Sequence, residues 1–178
     1  MKGREYYIGY SSAMYIHRLV YQPGSRTLVV TYRQVQPANQ IIAGQAFQFI
    51  NILPYRFFGY RETWVTQRAQ VMVSDLEKTI VDALSKPGLC GGILEVGRAV
   101  YRSKERTDQE KLFYYLARNW SRAAKKRYLF ISDSLGMKWT PEHERLLKEI
   151  GSGISLLDPS GPNQGKKNSR FGLKINIE

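Results

Sequence analysis

The residues with the chemistry for catalysis are few. His17 and His143 are the only histidines and Cys90 is the only cysteine. A Ser-His-Asp relay would need one of those imidazoles as its base. His17 lies on an apolar stretch, and His143 follows Thr140-Pro141-Glu142 in an acidic helix start, so both fit a hydrogen-bonded partner or cap better than a base. Cys90 stands beside Gly91-Gly92 without a basic neighbour to activate it, and reads as an inert small residue at a packed turn. A single cysteine also excludes an intramolecular disulfide and every cysteine-based zinc cluster. Asp75, Glu77 and Asp82 carry oxygens suited to a hard cation. The first two fit better in a capping box, Ser74-Asp75-Leu76-Glu77. Asp82, with Lys78 and Lys86 four residues to either side, reads as a charge-paired surface residue. The segment 161–167, GPNQGKK, is one residue short of a phosphate loop, lacks the Ser or Thr after its lysine, and loses an amide at Pro162; it reads as a flexible basic turn. These residues point to no metal, no cofactor and no enzyme.

Charge is more informative. There are 27 Lys and Arg against 15 Asp and Glu, a formal +12 with a pI near 9.9. Such a field draws polyanions. The window 98–127 holds ten basic residues against Glu105, Asp108 and Glu110. In it Arg118, Arg122, Lys125 and Lys126 recur at helical spacing, which predicts one basic edge opposite the Ala124, Tyr128 and Ile131 stripe. Arg127, Arg102, Lys104 and Arg106 extend the same patch, and Ser121 at the helix start adds free amides for a phosphate. Lys166, Lys167 and Arg170 form a second cluster on a tail expected to be mobile. Residues of this kind contact backbone phosphates and give register rather than base specificity. Reversing Arg122, Lys125 and Lys126 to Glu is therefore expected to flatten the salt dependence of DNA binding without unfolding the chain.

These residues need elements to hold them. A helix is expected over Ser11–Val20 behind a Ser pair. Thr27–Tyr32 is β-branched and aromatic, the composition of a buried strand. After a loop at Pro37–Asn39, a second strand is expected through Ala46, Phe47, Phe49, Ile50 and Ile52, with short ones at Arg56–Tyr60 and Gln70–Val73. Their close spacing implies an antiparallel meander. From Val73 the period becomes helical. Helices are expected from the capping box to Ser85, over Ile93–Tyr101, Asp108–Arg118 and Ser121–Leu135, and from Thr140 to Gly151. The two basic helices meet near Asn119–Ser121, and Phe171–Ile177 reads as a closing strand. The aromatic residues, Phe47, Phe49, Phe57, Phe58 and Tyr128 among them, sit where a core wants them rather than as base-stacking platforms.

The fold class is thus α+β: a small, mostly antiparallel sheet packed with several helices, a helical second half and a closing C-terminal strand. At 178 residues one domain over 1–178 is expected, with a helix-and-meander lobe at 1–86 and a basic helical lobe at 91–178. No apolar run approaches the roughly 20 residues of a membrane span. Tyr6–Ser12, after Lys2 and Arg4, is too short and broken for a secretory core. A cytoplasmic protein without membrane contact is expected.

Several stretches, taken in order, carry a resemblance: YYIGYSSA at 6–13 ahead of His17 and Leu19; Phe57-Phe58-Gly59; Val73-Ser74-Asp75-Leu76-Glu77-Lys78-Thr79-Ile80-Val81-Asp82; Pro87 with Gly91-Gly92; and Asp158-Pro159-Ser160-Gly161 before Arg170-Phe171-Gly172-Leu173. Together they resemble the antitoxin domain of AbiEi-type proteins, from type IV toxin-antitoxin systems of abortive infection. The resemblance implies a transcriptional regulator that binds DNA upstream of its own operon. It also implies antagonism of a nucleotidyltransferase-type toxin and a role in antiviral defence. The matching residues are mostly apolar, Gly or capping types, and read as fold determinants. Family members typically carry a winged helix-turn-helix before the YYIG segment; only five residues precede Tyr6, so none is expected in this chain. The family also commonly places Gly after the His, where Arg18 stands, so the first helix is expected to run on or to end differently. The competing reading is a protein-interaction module that holds a toxin or another acidic partner without binding DNA.

Overall fold

The computed structural model describes residues 5–119 and 121–177. Lys2, Arg4 and Trp120, the last in the joint expected between the two basic helices, lie outside them. The chain forms two compact units that meet in sequence at Thr79 and Ile80, within a helix. The class is α+β, a six-stranded sheet in the first unit and a three-stranded sheet in the second.

The first unit opens with β1 (Tyr7–Ile8) and α1 (Tyr10–Ile16). α1 ends well short of Val20. Gly9 precedes it with no side-chain cap, so the Ser pair lies inside the helix, and Ser12 Oγ instead accepts from Leu28 N at 2.9 Å. Arg18 takes the left-handed φ of 60° that terminates a helix, a conformation glycine adopts without strain. The helix therefore ends where the family pattern has glycine.

β2 (Thr27–Thr31), β3 (Asn39–Ile42), β4 (Gln45–Asn51), β5 (Tyr60–Thr66) and β6 (Ala69–Ser74) complete the sheet, in the order β3-β4-β2-β1-β6-β5. It is not a meander. β2 pairs parallel with β4, and β1 with β6, while β1–β2, β3–β4 and β5–β6 are antiparallel. The unread strand β3 makes this possible: it begins at Asn39, the last residue of the expected loop, runs through residues 40–42 for which no element was expected, carries the chain back, and lets β4 enter beside β2 in the same direction. The strand expected at Arg56–Tyr60 does not form: Arg56 closes a 3-10 turn, Pro54–Arg56, begun by a proline whose φ suits a helical start, residues 57–59 are irregular and Tyr60 opens β5. Gly59, at φ 70°, then turns the chain into β5. The core gathers Ile8, Ala13, Val29, Phe49 and Val73. Tyr7 stacks on Tyr60 at 5.3 Å, and Phe57 meets Tyr32 edge-on at 5.0 Å.

α2 (Leu76–Ser85) carries the chain from one unit to the next. Asp75 Oδ1 accepts from Lys78 N at 2.9 Å, so Asp75 is the cap, one residue after the Ser74 of the expected box. Ser74 turns inward instead, where its hydroxyl lies 2.7 Å from that of Thr79. The second unit holds α3 (Ile93–Ser103), α4 (Gln109–Arg118), α5 (Arg122–Ser134) and α6 (Pro141–Glu149), close to their expected bounds. Asp108 and Ser121 cap α4 and α5 from their side chains. The tail folds into β7 (Ser155–Leu156), β8 (Lys166–Asn168) and β9 (Leu173–Ile175), with β9 in the middle. Of the basic cluster expected on a mobile tail, Lys166 and Lys167 thus lie in an edge strand and Arg170 in the turn that follows it. Gly165, at φ 128°, admits no Cβ, since one would lie 1.9 Å from Ile175 O. Among the described residues no helix is long and apolar enough to cross a membrane.

Candidate nucleic-acid interface

α5 is the centre of the predicted basic patch, and its cations divide sharply. Lys125, Lys126 and Arg127 are buried, at 8%, 1% and 4% exposure. Lys125 and Lys126 therefore cannot form the outer edge that helical spacing predicted, and Arg127 cannot extend the patch. Lys125 Nζ pairs with Glu149 at 2.6 Å. Lys126 Nζ donates to Gly153 O, and Gly172 packs so close that a Cβ there would lie 2.9 Å from that ammonium. Burial, with Arg122 nearby, lowers the Lys126 pKa. Arg127 spreads its guanidinium over three carbonyls, Leu84 O at 2.8 Å, Leu157 O at 2.9 Å and Leu156 O at 3.0 Å. These three residues are structural struts of the second unit. The misreading has a physical cause: α6 brings Glu149 to Lys125, and the chain after α6 lies back over α5 with carbonyls that need donors. Long cationic side chains satisfy them while filling the space with their stems.

The other predicted cations lie outward. Arg118, Arg122, Lys104, Arg106, Lys166, Lys167 and Arg170 are exposed, and Arg102 is half-buried. Arg118 is in the last turn of α4 and Arg122 in the first of α5. Lys104 lies over the Tyr101 ring at 4.5 Å. Arg170 pairs with Asp133 at 3.0 Å and covers the Trp139 ring at 4.6 Å. Ser121 Oγ accepts from Ala124 N at 3.2 Å, which occupies one amide of the expected phosphate site.

The candidate catalytic residues are engaged elsewhere. His17 Nε2 donates to Ser74 O at 2.7 Å, a partner role. Cys90 is buried, and burial together with Asp82 pushes its thiol far above the usual range, away from a nucleophile. Asp82 is buried at 4% exposure, not on the surface as its lysine neighbours implied. Asp75 and Glu77 are buried too, and Lys78, fully buried, lies 4.9 Å over the Phe58 ring. Gly165 and the lysines after it enter a strand rather than a helix, so this segment lacks the helix N-terminus on which a phosphate loop depends. His143 is buried among Phe113, Tyr128 and Trp139, with ring centroids at 4.7, 5.7 and 5.4 Å. Its Nδ1 accepts from Thr140 N at 3.2 Å.

The motifs that carry the family resemblance meet in structural roles. Asp158 Oδ2 accepts from Ile93 N at 2.9 Å, and Gly92 gives it room: a Cβ there would lie 2.9 Å from that oxygen. Asn176 brackets the same residue, accepting from Asp158 N at 2.9 Å and donating to Asp158 O at 2.6 Å. A Cβ on Gly9 would strike Val30 at 2.7 Å. Sequence reading missed Asn176 altogether, because a lone Asn near a chain end has no periodic signal.

No protein-family model matches the chain, and no curated protein does. Its fold has a counterpart in the crystal structure of the RV2827C protein from Mycobacterium tuberculosis, with a TM-score of 0.67, 14% identity and 97% of this chain covered. The chain spans 62% of that protein's length. At this identity the likeness is one of fold.

Proposed function

We propose that this chain is an AbiEi-like antitoxin and transcription-regulator domain that binds DNA through phosphate contacts and acts in the cytoplasm against a nucleotidyltransferase-type toxin. The observation that carries the DNA reading is a charge balance. Among the described residues, burial removes four cations, Lys78, Lys125, Lys126 and Arg127, and four carboxylates, Asp75, Glu77, Asp82 and Asp158. The two sets cancel, so packing uses up none of the formal +12. The contact residues of this reading are Arg102, Lys104, Arg106, Arg118, Arg122, Lys166, Lys167 and Arg170. The antitoxin reading rests on the ordered family motifs.

The test is fluorescence anisotropy with a random duplex and with DNA upstream of the chain's own gene, across a salt series. If about four to six phosphates are neutralised, log K falls against log salt with a slope near −4 to −5. Binding to neither duplex would overturn the DNA reading. It would favour the second one, a module that holds an acidic protein. A groove of about 410 Å³ in the first unit favours that alternative: its apolar lining includes Ile8, Tyr15, Phe47 and Val65, and Arg26 stands beside them.

A further inference from the structure

The longest run of this chain without a charged side chain is 34–55, between Arg33 and Arg56. In a sequence that is 24% charged and carries +12, that run forms β3 and β4, with β3 the terminal strand of the six-stranded sheet. Phe49 N donates to Ala38 O at 2.7 Å, and Asn39 lies opposite Gln48. Antiparallel pairing alternates, so this bond sets its phase: Gln40 and Ile42 turn their main-chain groups towards β4, and Asn39 and Ile41 turn theirs away from the sheet. Ile41 is 80% exposed and Ile42 42%.

Open edges invite pairing with another chain, and proteins blunt them with charge, bulges or proline. The opposite edge is blunted in this way. β5 carries Arg61 and Glu62, and its register shifts between Trp64 and Thr66. β3 has neither charge nor bulge, and Pro37 precedes it without entering it.

We infer that β3 is a self-association edge, which pairs antiparallel with β3 of a second copy of this chain. Charge selects the occupant. Two molecules of +12 repel over their surfaces, and this strip is where they can approach. An acidic partner would find no cation on the strand itself; Arg26 only borders it, donating to Asn39 Oδ1 at 3.1 Å. A two-fold axis at Gln40 sets Asn39 opposite Ile41 of the second copy and the reverse, so the outward N–H and C=O groups of both residues find complements. The inference is independent of the DNA reading, and its salt dependence has the opposite sign.

The test is sedimentation velocity on the whole chain from micromolar to sub-millimolar concentration, at low and high salt. A concentration-dependent dimer that tightens several-fold as salt screens the repulsion is expected. Ile41→Lys should weaken it by about tenfold, because two lysines then lie diagonally across the edge from each other and add like charge to the strip. Trp64→Lys, on the opposite edge, should leave it unchanged. Circular dichroism checks that both variants fold, and the salt response of the unaltered chain tests the pairing without any variant. A monomer at every concentration, a dimer that salt dissociates, or one that survives Ile41→Lys but not Trp64→Lys would overturn the inference.

Discussion

Arg122 and Arg127 are five residues apart on one helix and do different work. Arg127 donates to three carbonyls in the second unit, so its loss strands buried acceptors, each costing about 1–3 kcal/mol. Arg127→Ala should destabilise the chain by about 2–6 kcal/mol in urea unfolding, the sum over the two buried acceptors Leu84 O and Leu157 O, whereas exposed Arg122→Ala should stay within about 0.5 kcal/mol. Equal effects would refute the division between strut and surface. The same division rewrites the charge-reversal test: Lys125→Glu and Lys126→Glu would bury like or unpaired charge, and only Arg122 of that trio reports on DNA. His143 makes a separate prediction. Burial lowers its pKa, outweighing the upward pull of Glu142 and Glu144. The unfolded chain, with an ordinary value near 6.5, then takes up a proton that the folded chain refuses. Stability is full above about pH 6.5 and is lost as pH falls towards the folded value. His143→Gln should remove that part of the pH dependence of the unfolding midpoint; an unchanged profile would show that imidazole titration does not matter.

At the scale of elements, the helices of the second unit were legible because each carries its own period and stop signal. Asp108, Ser121 and Thr140 announce helix starts, and Gly151 a stop, with no help from tertiary packing. The sheet was less legible. β3 is short, polar at one end and exposed, so neither alternation nor burial marks it, and missing it turned a mixed sheet into a meander. Its turn held a signal of a kind. Ile42 and Gln45 pair across Ala43 and Gly44, both at positive φ, 49° and 78°, the mark of a type I′ turn, whose first position favours Asn. Ala43→Asn should therefore stabilise the hairpin by about 0.5–1 kcal/mol, read by urea unfolding. A destabilised variant would mean that the turn is not of this type. Asp75 offers the converse. Removing the cap of α2 with Asp75→Ala should cost about 1 kcal/mol, and an effect from Ser74→Ala in its place would restore the capping box expected from sequence.

For the whole molecule, net charge was legible from a count, but its placement was not. Helical spacing assigned Lys125 and Lys126 to an outer edge, with Arg127 extending the patch, because period shows which residues share a face, not what lies over that face. What covers them comes from α2, from α6 and from the chain beyond it, in Leu84, Glu149, Gly153, Leu156 and Leu157, and no local pattern reports it. Among the described residues the buried charges cancel, which leaves the excess on the exterior, with Arg118, Arg122, Lys166 and Lys167 on the second unit and Arg61 and Arg68 on the first. If the second unit supplies the phosphate-binding cations, reversing those four to Glu should flatten the salt slope of duplex binding by about 0.9 for each phosphate no longer neutralised. Reversing Arg61 and Arg68 instead should leave the slope within error, although that change also removes charge from the molecule as a whole. The pair of variants separates a local interface from a diffuse field: if both flatten the slope in proportion to the charge removed, DNA responds to the net +12 and no patch on the second unit is special.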